Sequence, residues 1–77
     1  MSQRLPRVTA DKIIRVLEKI GFALARQSGS HKIYRSPTGK RVTVPYHKGK
    51  VLHLKVLVSI LKDANLSREE FKSLLEE

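Results

Sequence analysis

The spacing of apolar residues predicts a helix near the start of the chain. Apolar side chains recur at helical spacing from Ile13 to Ile20. Thr9 precedes this run and is a favourable N-cap, and Gly21 follows it where a left-handed C-terminal cap is needed. The pattern predicts a first helix over residues 10–20.

Shorter, alternating segments follow and predict three strands. Residues 22–27 alternate in part and end at the turn Ser28-Gly29-Ser30, which indicates a first strand. Residues 32–35 and 41–45 flank the turn Ser36-Pro37-Thr38-Gly39, whose proline suits a turn position because its φ is fixed. These two segments predict a β-hairpin.

Helical spacing returns in the last third of the chain. It predicts a second helix over residues 55–64 with Asn65 as its C-cap. Ser67 and Glu70 have the spacing of a capping box and open a short third helix. The predicted fold class is α+β, in the order helix, three antiparallel strands, helix, helix, with the helices on one face of the sheet.

Length and composition predict one small domain. A chain of 77 residues has room for a single core, which we place in residues 9–77 behind a flexible segment, 1–8. The absence of cysteine leaves apolar packing as the source of stability. No signal-peptide core and no run of about 18 apolar residues is present. We therefore expect a soluble, cytoplasmic protein with no membrane partner.

The charge distribution favours a nucleic-acid partner. The net charge is +9, and residues 19–62 contain no carboxylate. A solvated surface is the simplest alternative, and an anionic membrane is disfavoured because no amphipathic helix concentrates the charge. The basic residues of this block are Lys19, Arg26, Lys32, Arg35, Lys40, Arg41, Lys48, Lys50, Lys55 and Lys62.

The hairpin turn determines which side chains share a face. With Pro37 and Thr38 as the two central turn residues, Ile33 faces Val42 and His31 faces Val44. This register predicts an apolar face against the core and an open, basic face on which a tyrosine can stack a base. The open face carries Lys32, Tyr34, Arg41 and Thr43.

His31 opens the second strand directly after a glycine-containing turn. In the predicted register it shares the side of the core residues, which favours a packed, structural histidine. It also lies at the end of the strand, and a bulge would turn it to the other face. The residues alone leave both roles open.

Other chemistry is disfavoured by the residue types present. Three histidines without a nearby carboxylate or thiolate make a poor metal site, so we expect no metal and no cofactor. No glycine-rich phosphate loop, no paired carboxylates and no Ser/His/Asp set appears. Histidine chemistry on a basic surface is the remaining enzymatic possibility.

Two stretches of the sequence resemble a known family. Residues 29–45, GSHKIYRSPTGKRVTVP, and residues 59–67, SILKDANLS, followed by EEF, resemble the HicA toxin family, also called YcfA-like. The resemblance runs in order from Lys12 to Phe71. Two departures are Leu54-Lys55-Val56, where the family often has Pro-Gly or Lys-Gly, and Asn65 in place of glycine.

The resemblance implies a toxin of a type II toxin-antitoxin pair. Such toxins have a fold like that of a double-stranded RNA-binding domain and cleave mRNA, and a HicB-type antitoxin covers the active site. The family's catalytic histidine corresponds to His31. The expected activity is therefore that of a metal-independent endoribonuclease, an mRNA interferase, without a small-molecule cofactor.

The residues expected to contact RNA lie in the hairpin and in the basic loop that follows it, residues 47–50. A non-catalytic RNA-binding module and an interaction protein for an acidic partner are the alternative functions. The expected contacts are Ser30, Lys32, Tyr34, Arg35, Lys40, Arg41, His47, Lys48 and Lys50.

Overall fold

The computed structural model describes residues 5–77 as three helices and one three-stranded antiparallel sheet of order β1-β2-β3. This confirms the predicted α+β class and order of elements. Within the described residues no helix is long and apolar enough to cross a bilayer. The elements are α1 (Ala10–Lys19), β1 (Ala23–Ser28), β2 (His31–Arg35), β3 (Arg41–Pro45), α2 (Leu54–Asp63) and α3 (Arg68–Glu76).

The first two helices end in the same way. Gly21 has φ +99° and Asn65 has φ +59°, the left-handed conformation predicted at both positions. The next N–H reaches back five residues in each case, from Phe22 to the carbonyl of Leu17 at 2.9 Å and from Leu66 to that of Leu61 at 2.8 Å. These are Schellman caps, in which asparagine replaces the more common glycine because it tolerates positive φ. Asn65 lies one residue beyond the C-cap, Ala64.

The helix starts use different caps. Thr9 takes the N-cap position of α1, but its side chain makes no capping hydrogen bond. The His53 imidazole caps α2, its Nδ1 accepting from the Lys55 N–H at 3.1 Å. Ser67 and Glu70 form the predicted capping box of α3, with hydrogen bonds of 2.9 and 3.0 Å. The direction of α3 is thus fixed at its first turn.

The predicted register of the hairpin is wrong by one residue. The Ser36 carbonyl accepts from the Gly39 N–H at 3.0 Å, and the Ser36 N–H donates to the Lys40 carbonyl at 3.0 Å. Gly39 has φ +91°, so the loop has three residues, 37–39, closed by a left-handed glycine, instead of two. The extra residue shifts the pairing, and every side chain of β2 changes face relative to β3.

The shifted register places Tyr34 on the core side of the sheet and His31 on the solvent side, the reverse of the prediction. Tyr34 pairs with Val42, and Arg35 pairs with Arg41. Tyr34 is 3% exposed and belongs to the core, so its predicted place on the open face is wrong. His31 pairs with Pro45 on the face of the sheet that points away from the core, and its side chain is exposed.

A bulge in β1 brings a further residue to the open face. The pairing with β2 passes from Leu24 with Tyr34 directly to Arg26 with Ile33, which leaves Ala25 unpaired. The predicted strand placed Leu24 and Arg26 on one face. The bulge separates them, and Arg26 joins Ile33 on the side of His31.

The core lies between the sheet and the helices. From the sheet, Tyr34, Val42 and Val44 enter it. Val8 is buried too, and its carbonyl accepts from the Leu52 N–H at 2.8 Å, which ties the chain before α1 to the start of α2. Residues 1–4 of the predicted N-terminal segment lie outside the described residues. The largest fully buried side chains are Phe71, Ile13, Leu17, Leu57, Val16, Val42 and Val44.

Truncation of Tyr34 tests its place in the core. Tyr34→Ala should lower the free energy of unfolding by about 3–5 kcal/mol, because it leaves a cavity. Tyr34→Phe keeps the ring and should cost less than about 1.5 kcal/mol. Urea unfolding of both variants measures the difference. Equal stability of Tyr34→Ala and the unchanged protein would contradict the observed register.

The capping box of α3 gives a second stability prediction. Ser67→Ala should lower the free energy of unfolding by about 1 kcal/mol, because the Glu70 N–H loses the Ser67 hydroxyl as its acceptor. Ser73→Ala, an exposed change in the same helix, is the control and should stay within about 0.5 kcal/mol. Urea unfolding at neutral pH is the measurement.

The same contact depends on pH. Hydrogen bonds from the Ser67 N–H and hydroxyl lower the pKa of Glu70 below its ordinary value. The stabilisation by the charged Glu70 carboxylate is therefore present above the ordinary pKa of glutamate, and it is lost as the pH falls through the lowered pKa. The difference in stability between Glu70→Ala and the unchanged protein should therefore shrink in acid. A difference that is constant down to strongly acidic pH would contradict a charged Glu70 cap.

Candidate functional site

His31 is held at the first position of β2 by the turn before it. Gly29 has φ +58° at the first central position of the two-residue turn that joins Ser28 to His31, where a type II′ turn requires glycine. The Ser30 carbonyl accepts from the Tyr46 N–H at 2.6 Å and ties the turn to the end of β3. The backbone of His31 is thus fixed from both sides, and its imidazole is exposed.

The sheet face that carries His31, called the open face below, is arranged in three cross-strand rows. The first row holds His31 between Ser28 and Pro45. The second holds Arg26, Ile33 and Thr43, and the third holds Ala23, Arg35 and Arg41. One histidine and three arginines therefore share this face.

The arginines of the open face are not neutralised by the protein. Arg35 and Arg41 lie directly opposite each other, a like-charge pairing that is unfavourable without an anion between them. Across residues 5–77 neither they nor Arg26 forms an ion pair. All carboxylate side chains lie on the helices or at the C-terminus, and none on the sheet. The positive charge of the open face, which is unpaired within the described residues, is therefore suited to an anionic partner.

A groove runs between His31 and α2. Its volume is about 340 Å³, and the sheet forms one wall and α2 the other. No carboxylate lines it, and the polar groups are an imidazole, an ammonium and two hydroxyls. The lining residues are His31, Thr43, Pro45, Lys55, Val56, Ser59 and Ile60.

A second hollow of about 220 Å³ adjoins the first, with Pro45 and Val56 as the common wall. His47 and Lys50 of the basic loop line it together with His53. The structure thus brings His47 and Lys50 close to the groove of His31. Lys40, directly after the hairpin loop, and Lys48, in the basic loop, are exposed and line neither hollow.

Two of the residues predicted to contact RNA lie on the helix side of the sheet. Lys32 pairs with Val44, and its Nζ lies 4.0 Å from the centre of the Tyr46 ring in a cation–π contact. Burial raises the pKa of Tyr34, and the carboxylates of Glu18 and Asp11 raise it further. Lys32 and Tyr34 therefore serve the packing between sheet and helices.

Tyr46 extends this packing to α1. A hydrogen bond to the Asp11 carboxylate raises the pKa of Tyr46 above its ordinary value. The Lys32 ammonium lies over the face of the same ring, so Tyr46 contacts one acidic and one basic side chain. These contacts hold the start of the basic loop against α1.

The sequence patterns missed two residues of the site. Arg26 reaches the open face through the bulge at Ala25, and no residue type in β1 indicates that bulge. Lys55 reaches the groove through the packing of α2 against β3. The sequence did contain a signal for the observed hairpin register. Pro37 followed two residues later by glycine fits a type I turn with a bulged Gly39.

The histidines are not arranged as a metal site. Within residues 5–77 no three His, Asp or Glu side chains lie close enough together to hold an ion. His31 lines one hollow, and His47 and His53 line the other. The chemistry available in the groove is proton transfer by an imidazole beside one ammonium and two hydroxyls.

Comparison with known proteins identifies the family. A family model described as HicA toxin of bacterial toxin-antitoxin matches residues 10–66. A search of curated proteins finds no match. The match runs from the start of α1 past the end of α2 and includes the whole sheet and the groove. Because it spans more than half of the chain, this protein belongs to the HicA toxin family of bacterial toxin-antitoxin systems.

Proposed function

We propose that this toxin is an endoribonuclease that cleaves mRNA with His31 as its acid-base residue. The observation that carries the proposal is the position of His31, exposed at the end of β2 and lining a groove next to an arginine-rich sheet face. Membership of a toxin family supplies a reason for an RNA target. The register supports a functional histidine because a structural one would face the core.

The groove offers the groups that RNA cleavage requires. An imidazole has an ordinary pKa near 6.5, so it can accept the proton of a 2′-hydroxyl or donate one to the leaving oxygen near neutral pH. The 2′-oxygen attacks the adjacent phosphorus, and the bond from phosphorus to the 5′-oxygen breaks. One positioned proton transfer contributes about 10²- to 10⁴-fold, which predicts a slow nuclease.

The open face supplies the binding surface for the rest of the strand. Arg35 and Arg41 project from the same row, so one phosphate between them would relieve their repulsion. Arg26 lies in the row between these arginines and His31. Lys40, Lys48 and two residues of the second hollow, His47 and Lys50, flank this face and extend the positive field. Ser30 contributes through the turn that fixes His31.

Membership of the family implies an antitoxin partner, and the same charge indicates how it would bind. A HicB-type antitoxin that covers the groove would need an acidic surface to match the arginines of the open face. Occupation of this surface would exclude RNA from His31. The proposed inhibition is therefore competition for one site.

Replacement of His31 tests the catalytic proposal. The unchanged protein should cleave a labelled mRNA in EDTA, and His31→Ala should lose at least about 10²-fold of the rate, because the proton-transfer group is gone. The control is His53→Ser, which removes an imidazole outside the groove and keeps a side chain suited to the N-cap. Fragments on a gel give the rates.

Three results of this experiment would contradict the proposal. Equal cleavage by His31→Ala and the unchanged protein would assign the activity to another residue or to a contaminant. No cleavage, with tight and salt-sensitive binding, would make the protein an RNA-binding module. No salt-dependent binding at all would favour an interaction protein.

The arginines of the open face give a binding prediction. In the His31→Ala background, Arg35→Gln with Arg41→Gln should reduce the steepness of log affinity against log salt by about 0.7, since the two arginines share one phosphate and each phosphate contact on a single strand contributes about 0.7. Arg15→Gln on the exposed side of α1 is the charge control and should leave the slope unchanged. Fluorescence anisotropy with a labelled RNA measures it. An unchanged slope in the double variant would remove the open face from the RNA site.

A further inference from the structure

The second wall of the groove comes from the first two turns of α2. Lys55 and Ser59 are four residues apart, so they lie on one side of the helix, and both line the groove with His31. Ile60 closes the groove toward the core and is 2% exposed. The hydrogen bond between Val8 and Leu52 fixes the chain just before this helix. Lys55 therefore approaches the groove from a rigid element.

Lys55 occupies a position that is electrostatically unfavourable for a lysine. It lies in the first turn of α2, where the positive end of the helix dipole repels a cation. This turn contains no acidic residue, and the helical neighbours Val58 and Ser59 carry no charge. Lys55 makes no ion pair within the described part of the chain. An anion in the groove would interact favourably with both the positive end of the helix dipole and the Lys55 ammonium.

Lys32 and Arg35, two of the other cations on the strand of His31, are directed elsewhere. Lys32 is engaged with the Tyr46 ring on the helix side of the sheet. Arg35, with Arg41 beside it, lies four residues from His31, roughly 13 Å along the strand at about 3.3 Å per residue. These arginines suit neighbouring phosphates. Lys55 shares the groove with His31 itself.

We propose that Lys55 binds the scissile phosphate of the RNA in the groove and stabilises the charge on its non-bridging oxygens, with the Ser59 hydroxyl as a further donor. The assignment rests on the ribonuclease activity proposed above. In the reaction His31 takes the 2′-hydroxyl proton, the 2′-oxygen bonds to phosphorus, and the 5′-oxygen leaves with a proton from water. Lys55 keeps its proton throughout and acts as a fixed positive charge.

Charge-removing and charge-keeping variants test the role of Lys55. Lys55→Gln should lower kcat for RNA cleavage by about 10- to 100-fold, because a cation on the developing charge is lost. Lys55→Arg should recover a substantial part of kcat, since it keeps the charge. Lys62→Gln, an exposed change in the last turn of α2 outside the groove, is the matched control and should leave kcat within about twofold. Thermal unfolding of each variant shows that the fold is intact.

Sulfur substitution at the scissile phosphate separates phosphate contact from a structural effect. Replacing one non-bridging oxygen should slow the unchanged protein more than it slows Lys55→Gln, because the two changes remove the same interaction. Equal slowing of both, or equal kcat for Lys55→Gln and the unchanged protein, would overturn the assignment and leave the ribonuclease proposal intact. Absence of cleavage by the unchanged protein would overturn both.

Discussion

The three-residue loop between β2 and β3 determines which side chains of the central strand face solvent. Ser36 closes the loop through both its backbone groups, and Gly39 supplies the left-handed residue that this closure requires. Because side chains alternate along a strand, one residue more or less in the loop would exchange the two faces of β2. The burial of Tyr34 and the exposure of His31 are two results of the same turn.

The chemistry of the site combines two elements that are far apart in sequence. The sheet contributes His31 and the arginines of the open face, and α2 contributes Lys55 and Ser59. The N-cap at His53 and the left-handed Asn65 fix the two ends of α2. The core residues behind the groove thus set the distance between imidazole and ammonium. Packing in this small domain is therefore also the means by which its proposed catalytic groups are brought together.

Charge is segregated in the same way. The carboxylates lie on the helices and at the C-terminus, where Asp11 hydrogen-bonds Tyr46 and Glu70 caps α3, and the sheet has none. Of the net charge of +9, three arginines without an acidic partner among the described residues, Arg26, Arg35 and Arg41, lie together on the open face. This separation suits a surface that binds RNA, and a cognate antitoxin could compete for it only with an acidic surface of its own.

The sequence predicted the parts of the fold that depend on local signals. Apolar spacing and the caps at Gly21 and Asn65 predicted the bounds of α1 and α2 to within a residue, and the capping box at Ser67 predicted the start of α3, because these signals act within a turn or two. The pairing register failed because Ser36 to Gly39 was interpreted as a two-residue turn. The bulge at Ala25 and the arrival of Lys55 in the groove depend on contacts between distant segments, which spacing along one segment does not contain. His31 was found as a candidate, and its face required the structure.

Nuclear Overhauser effects across the β2–β3 hairpin test this register most directly. The observed pairing predicts close Hα–Hα contacts between Arg35 and Arg41 and between Ile33 and Thr43, which are the non-hydrogen-bonded pairs. Contacts between Arg35 and Lys40 and between Ile33 and Val42 would instead indicate a two-residue loop. That result would return Tyr34 to the open face, turn His31 toward the core and contradict the proposed site.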